Sequence, residues 1–292
     1  NLNKEQKEIY EAITQGDRNL FFIDAPGGCG KSFTAITLAN HFDLNYVQFV
    51  ASTGVAAVNL PHAKTAHSYF GIPVENLTSS SLSKFYNDVN QCIEIKKKKV
   101  FFWDEISMVH KDQFEVVNKL LKKIHQNDLP FGGVIFITLG DFRQILPIVK
   151  GGNDNDVLNA LVKNHSTWKL FKRLQMINNV RSNNIEWSNY LVRIGNGLVP
   201  NKLNLDDRIK SSPNLFYLIE ETFKSYTTDD DTVILTTRND NCKKINEMIT
   251  EKIDSEGKEY IDFMQYVETT NRVQGLNEEF FDSYSNSKLP DT

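Results

Sequence analysis

The segment Ala25-Pro26-Gly27-Gly28-Cys29-Gly30-Lys31-Ser32 most restricts what this chain can fold into. A continuous apolar run, Leu20-Phe21-Phe22-Ile23, leads into it, and a helical pattern over residues 33–41 follows. Strand, glycine loop and helix, in that order, make a phosphate-binding loop. Gly27, Gly28 and Gly30, with Cys29 between them, let main-chain N–H groups turn toward a polyphosphate. The helix adds its positive N-terminal end. Lys31 is spaced to reach the β- and γ-phosphates of ATP, and the Ser32 hydroxyl to ligate Mg²⁺. Ala25 stands where the usual pattern has its first glycine.

Such a loop needs a carboxylate from a neighbouring strand end. Val100-Phe101-Phe102-Trp103 reads as a buried strand that delivers Asp104 to the metal shell and Glu105 as the base for an attacking water. Val134-Ile135-Phe136-Ile137-Thr138-Leu139 is a third such run. It delivers Gly140, Asp141 and Gln144, the last within reach of a γ-phosphate. Residues 46–50 and 233–235 read as further strands. Residues 3–14, with Asn3 as N-cap, and residues 113–124 and 238–249 read as helices. Alternating strands and helices predict an α/β fold with a parallel sheet, a P-loop NTPase.

At about 150 residues per domain, 292 residues predict two domains. With 40% hydrophobic and 24% charged residues, the chain fits a soluble globular class, and no run is long and apolar enough to cross a membrane. Three scattered cysteines form no zinc or disulfide framework and point to a reducing, intracellular setting. A net charge of −4 argues against coating nucleic acid non-specifically but permits a local basic groove. The lysine run 96–99 reads as a solvated strand entrance or as a nucleic-acid contact. Residues 78–90 read as an inserted subdomain and 196–213 as a linker or excursion. The chain does not begin with Met and closes without a terminal helix signal, so a fragment is expected.

Gly27 to Ser32, Asp104-Glu105-Ile106-Ser107-Met108, Asn127-Asp128-Leu129-Pro130-Phe131-Gly132-Gly133 and Gly140-Asp141-Phe142-Arg143-Gln144-Ile145-Leu146-Pro147 together resemble superfamily-one DNA helicases of the Pif type. Phe142-Arg143-Gln144, Trp168-Lys169-Leu170-Phe171 and the stretch 191–197 look closer to the Helitron-transposon and viral branch. The resemblance implies a RecA-like ATPase domain over 1–165, with a small inserted subdomain near 74–99, and a partial second RecA-like domain over 166–292. It implies an ATP-dependent, 5′-to-3′ translocase on single-stranded DNA, nuclear in a eukaryote, serving repair, recombination, telomere or genome maintenance, or mobile-element replication. Gln6 matches the family's adenine-reading glutamine, although alone it reads as a solvated helix residue. Ala51-Ser52-Thr53-Gly54 matches a segment that holds DNA phosphates. Lys64-Thr65-Ala66-His67-Ser68-Tyr69-Phe70 matches a second, with Thr65 on phosphate and His67 and Phe70 stacking on bases. Arg181 matches an arginine that the second core domain offers to the γ-phosphate. The family's later motifs are not found: Thr270-Asn271-Arg272-Val273-Gln274-Gly275 is only a chance echo. Two rivals remain, an ATPase that remodels protein and a non-catalytic DNA-binding transposon remnant.

Overall fold

The structure is a computed structural model that describes residues 2–199, 212, 214–223 and 233–252. Its elements run α1 (Lys4–Thr14), β1 (Leu20–Asp24), α2 (Lys31–Ala39), β2 (Val47–Ala51), α3 (Gly54–Val58), β3 (Lys64–Thr65), α4 (Ala66–Phe70) and α5 (Val89–Lys97). They continue with β4 (Val100–Asp104), α6 (Lys111–His125), β5 (Ile135–Gly140), α7 (Asp154–Ala160), β6 (Lys172–Gln175), α8 (Ile185–Gly195), α9 (Leu215–Thr222) and α10 (Asn239–Thr250). The six strands make one parallel sheet in the order β3-β2-β4-β5-β1-β6.

The apolar runs become its centre because parallel strands are covered on both faces. Phe21, Ile23, Phe49, Phe102, Ile137 and Leu139 face α1 and α2 through Ile9, Ile13, Ala35 and Leu38. Phe22, Phe101, Trp103 and Phe136 face the other way, onto Phe114, Val117 and Leu121 of α6. This second layer is largely aromatic: Phe131 stacks on Phe136 at 4.2 Å, and Trp168 on Phe171 at 5.2 Å. Asn3 caps α1 as expected, in a reciprocal capping box with Gln6.

The chain divides into two compact units, residues 1–203 and 204–292. The expected boundary at residue 165 lies inside the first unit, whose sheet includes β6 paired with β1. The expected insert near 74–99 packs on this unit. Ser83 donates to the Phe70 carbonyl at 2.6 Å, and Leu77, Phe85 and Tyr86 lie against the aromatic layer. Lys96 and Lys97 close α5 and Lys99 immediately precedes β4, so the lysine run lies at the entrance to that strand.

In the second unit the described residues form α9 and α10, with Ile219 and Ile245 buried. Residues 233–235, expected as a buried strand, form none: Val233 is 73% exposed and Leu235 88%. Among the described residues no strand pairs with them, and three apolar residues without a paired main chain do not make a strand. Most of the expected linker at 196–213, and the echo at 270–275, lie outside the described residues.

Candidate active site

β4, β5 and β1 are adjacent, so their C-terminal ends carry Asp104-Glu105, Gly140 to Gln144 and the glycine loop to one edge of the sheet. Ligands of open α/β sheets bind at this edge. The loop is tied to β5 by the Ala25 N–H donating to the Gly140 carbonyl at 3.3 Å. Gly28 and Gly30 take φ of 84° and 85°, a left-handed region that favours glycine, and Gly30 caps α2. The Lys31 ammonium donates to the carbonyls of Ala25 at 2.9 Å and Pro26 at 3.3 Å, which curls it over its own loop. Ser32 follows, half-buried in the first turn of α2. Cys29 is fully buried and its thiol is pushed up by burial, so it offers the loop its main chain rather than its side chain.

Asp104 ends β4 almost fully buried, and burial raises its carboxyl pKa. The Glu105 N–H donates to Asp104 Oδ1 at 2.8 Å and pulls the other way, as does the Lys31 ammonium. Glu105 sits at φ 55°, ψ 44°, left-handed for a non-glycine residue. Burial and then the Asp104 charge raise its pKa. Ser52 braces the turn by donating to the Glu105 carbonyl at 2.8 Å, and it accepts from the Trp103 indole at 3.2 Å. Gln144 donates to Asp141 Oδ2 at 3.0 Å and lies beside the loop, its Nε2 3.7 Å from where a Cβ on Gly27 would stand.

Gln6 departs from the solvated reading. It is buried, and its Nε2 lies 2.7 Å from where a Cβ on Gly30 would be, against the phosphate loop. Arg181 lies within the compact unit 1–203. After β6 the chain folds back over the glycine loop: Val180 N–H donates to the Gly28 carbonyl at 2.8 Å, and Asn179 Nδ2 to that of Gly27 at 3.1 Å. Asn179 Oδ1 accepts from the Arg181 N–H at 2.9 Å. Glu5 pins this strap by accepting from the N–H groups of Ile177 and Asn178, each at 3.1 Å. The arginine is thus local to the loop because β6 pairs with β1.

On the same edge, at the ends of β2 and β3, Thr53 and Thr65 cap α3 and α4 with their hydroxyls. A Cβ on Gly54 would meet open space. His67 is half-buried, hydrogen-bonded to Gln113 at 3.1 Å, and burial lowers its pKa. Phe70 corrects the expectation of base stacking: it is wholly buried, 5.6 Å from Phe101 and 6.1 Å from Trp103 between ring centres. On a five-residue helix, Ala66 and Phe70 share the face turned to the core.

The residues the sequence reading missed are Glu5, Ser52, Asp24, Asn179 and Arg173. Asp24 carried a signal, because a carboxylate ending an apolar strand must find a partner. It finds Arg143 at 3.1 Å and the Arg173 guanidinium. Among the described residues no three His, Cys, Asp or Glu side chains gather as a metal site.

The sequence pattern described as PIF1-like helicase matches residues 1–204. This chain belongs to that family. Its Pif-type strand ends are those just described. Uncharacterized protein 030L of Invertebrate iridescent virus 6 is 30% identical over 284 residues, covering 90% of this chain and 50% of that protein. The ATP-dependent DNA helicase Pif1 of a Psychrobacter species is 34% identical over 137 residues, covering 46% of this chain and 21% of the helicase. A crystal structure of Bacteroides Pif1 in complex with ADP-AlF3 and single-stranded DNA superposes with a TM-score of 0.69 at 26% identity, covering 88% of this chain and 58% of that one. The match thus spans about half of the viral protein and of the Bacteroides structure, and about a fifth of the Psychrobacter helicase.

Proposed function

We propose that this chain is the nucleotide-hydrolysing core of an ATP-dependent DNA helicase that moves 5′ to 3′ on single-stranded DNA. The convergence of the Lys31 loop, Asp104-Glu105 and Gln144 on one sheet edge carries this reading. Family membership supports it, and polarity rests on the resemblance alone.

In this reading Gln6 reads the adenine, the main chain of 27–30 cradles the phosphates, and Lys31 neutralises the β- and γ-oxygens. Ser32 and Asp104 offer one hydroxyl and one carboxylate. That hard, sparse donor set fits Mg²⁺, which takes its remaining ligands from phosphate and water. When bound, the ion supplies charge to the phosphoryl oxygens. Glu105 accepts the proton of the attacking water; burial and the Asp104 charge make it a stronger base than an ordinary glutamate. Gln144 reports the γ-phosphate, and Arg181, on the strap over the loop, stabilises charge on the transferring group. Thr53, Gly54, Thr65 and His67 hold the strand.

The second unit is read as the opening part of a second core lobe. The setting is intracellular, nuclear in a eukaryotic host, in repair, recombination, telomere or genome maintenance, or mobile-element replication. ATP hydrolysis measured with and without oligo-thymidine tests the reading. Stimulation by the oligonucleotide, abolished in Lys31→Ala, is expected. Hydrolysis indifferent to DNA would favour a protein-remodelling ATPase, and hydrolysis that survives Lys31→Ala would remove the site.

A further inference from the structure

Arg143 bridges two carboxylates beside the loop with its side chain, and nothing above gives it a role in the site. Its main-chain N–H and its Nε both donate to Asp141 Oδ1, at 3.1 and 2.5 Å. Its Nη2 donates to Asp24 Oδ1 at 3.1 Å. The aliphatic stem lies against Gly195, where a Cβ would approach Arg143 Cβ, Cγ and Cδ to 2.9, 3.2 and 3.3 Å. The three charged side chains are withdrawn from water, with 16% of Arg143, 9% of Asp24 and 5% of Asp141 exposed. The other Asp141 oxygen holds the Gln144 amide at 3.0 Å.

We infer that Arg143 is a positioning residue that fixes the γ-phosphate-sensing amide of Gln144, acting through Asp141 and anchored on Asp24. The inference rests on the nucleotide-site reading above. Without the guanidinium, Asp141 Oδ1 keeps the Arg143 main-chain N–H, a single bond about which the carboxylate can still turn, and Gln144 moves with it. Arg143 removes that freedom by taking one Asp141 oxygen from a side fixed by Asp24. Asp24 is the last residue of β1, one position before the glycine loop, so the sensor is referenced to the strand that carries the phosphates. A guanidinium can do this because Nε and Nη2 point at two different carboxylates in one plane, whereas a lysine ammonium is a single point charge on a flexible stem. Separating Arg143 from Asp141 would leave a buried carboxylate without its cation, which makes this geometry hard to leave.

The test is the preference for a triphosphate over a diphosphate, measured on the whole chain as the ratio of affinities for AMP-PNP and ADP with Mg²⁺. The wild-type protein is expected to prefer AMP-PNP. Arg143→Lys and Gln144→Ala should each reduce the preference by about tenfold, the loss of one hydrogen bond to a charged group. ADP affinity should stay within about twofold. The double variant should be no worse than Gln144→Ala alone, because both changes act on one amide. A merely structural arginine would lower affinity for both nucleotides alike.

Losses that multiply in the double variant, or an Arg143→Lys protein with the wild-type preference, would overturn the inference. If Arg143→Lys does not fold, Asp141→Asn breaks the same relay from the middle, and an undiminished preference there is equally fatal. A wild type that binds neither nucleotide would sink the nucleotide-site reading and this inference with it. A wild type that binds both without preference would remove Gln144 as sensor, and Arg143 with it.

Discussion

Glu105 is held in a backbone conformation that glutamate rarely adopts. The left-handed geometry at φ 55° costs roughly 1–2 kcal/mol, and burial beside Asp104 adds the expense of holding a charge. Its carboxyl pKa is raised in the folded protein. Stability from this group is therefore fully present below the ordinary glutamate pKa and is lost as pH rises through the raised one. Glu105→Gln should accordingly be more stable than wild type at pH 7, by about 1 kcal/mol or roughly 2–4 °C, with the gap closing on acidification. The same variant should bind nucleotide but hydrolyse it about 10²- to 10⁴-fold more slowly, because an amide cannot take the proton. Paired melts at pH 7 and pH 4 and a turnover assay check both halves; wild-type turnover would mean the base is misassigned. Two rings in one motif give a second contrast. Phe70→Ala should lose about 3–5 kcal/mol in a denaturant titration, since a wholly buried ring leaves a cavity. His67→Ala should leave stability almost unchanged and weaken oligonucleotide binding. Equal stability losses in the two would contradict this division. The 66–70 segment states the helical spacing of Ala66 and Phe70, but a single turn gives periodicity too little length to reveal which ring faces inward.

The central strands β1, β2, β4 and β5 are legible in sequence because both their faces are covered, so they read as unbroken apolar runs. The two edge strands are not. β3 is Lys64–Thr65 and β6 is Lys172–Gln175, the latter mostly exposed and polar, as edges that avoid further pairing are. β6 carries no such run, yet it is the pairing of β6 with β1 that lays the Arg181 strap on the glycine loop. The entrance to β5 shows how few residues fix an element. Phe131 and Gly132 are both left-handed, at φ 52° and 66°. This turn buries Phe131 under α6, where its N–H donates to Asn118 Oδ1 at 2.9 Å. A Cβ on Gly132 would lie 2.5 Å from the Leu121 carbonyl oxygen. Gly132→Ala should therefore cost at least about 2 kcal/mol, more than the left-handed penalty alone, because main chain must move. Gly197→Ala, at φ 67° with open space around it, isolates that penalty at about 1–2 kcal/mol. Chemical denaturation of the two variants compares them, and equal losses would show that the α6 contact yields freely.

Both hydrophobic clusters, and every side chain placed in the nucleotide site, lie in the unit that ends at residue 203. The strand-end motifs made that unit readable, because each motif has to follow a buried strand at one edge. In the second unit the helical pattern at 238–249 is readable and becomes α10, whereas the three apolar residues at 233–235 are too short a run to specify a strand by themselves. A chain cut after residue 203 should therefore fold and bind ADP within about twofold of the 292-residue chain, since the phosphate loop, the Arg181 strap and the hydrogen bonds described between them all belong to the first unit. Unwinding asks for more. A motor of this kind must grip one strand with two lobes and change the distance between them on hydrolysis. Among the described residues the second unit contributes two helices and no strand. Because the family's later motifs are not found in its sequence, the 292-residue chain, which spans half of its viral relative, should bind nucleotide and single strands yet leave a forked duplex closed in a strand-displacement assay. ATP-driven displacement by this chain would mean that residues 253–292 complete a grip that their sequence does not announce. Loss of ADP binding in the 203-residue fragment would mean instead that the first unit does not close its own nucleotide site.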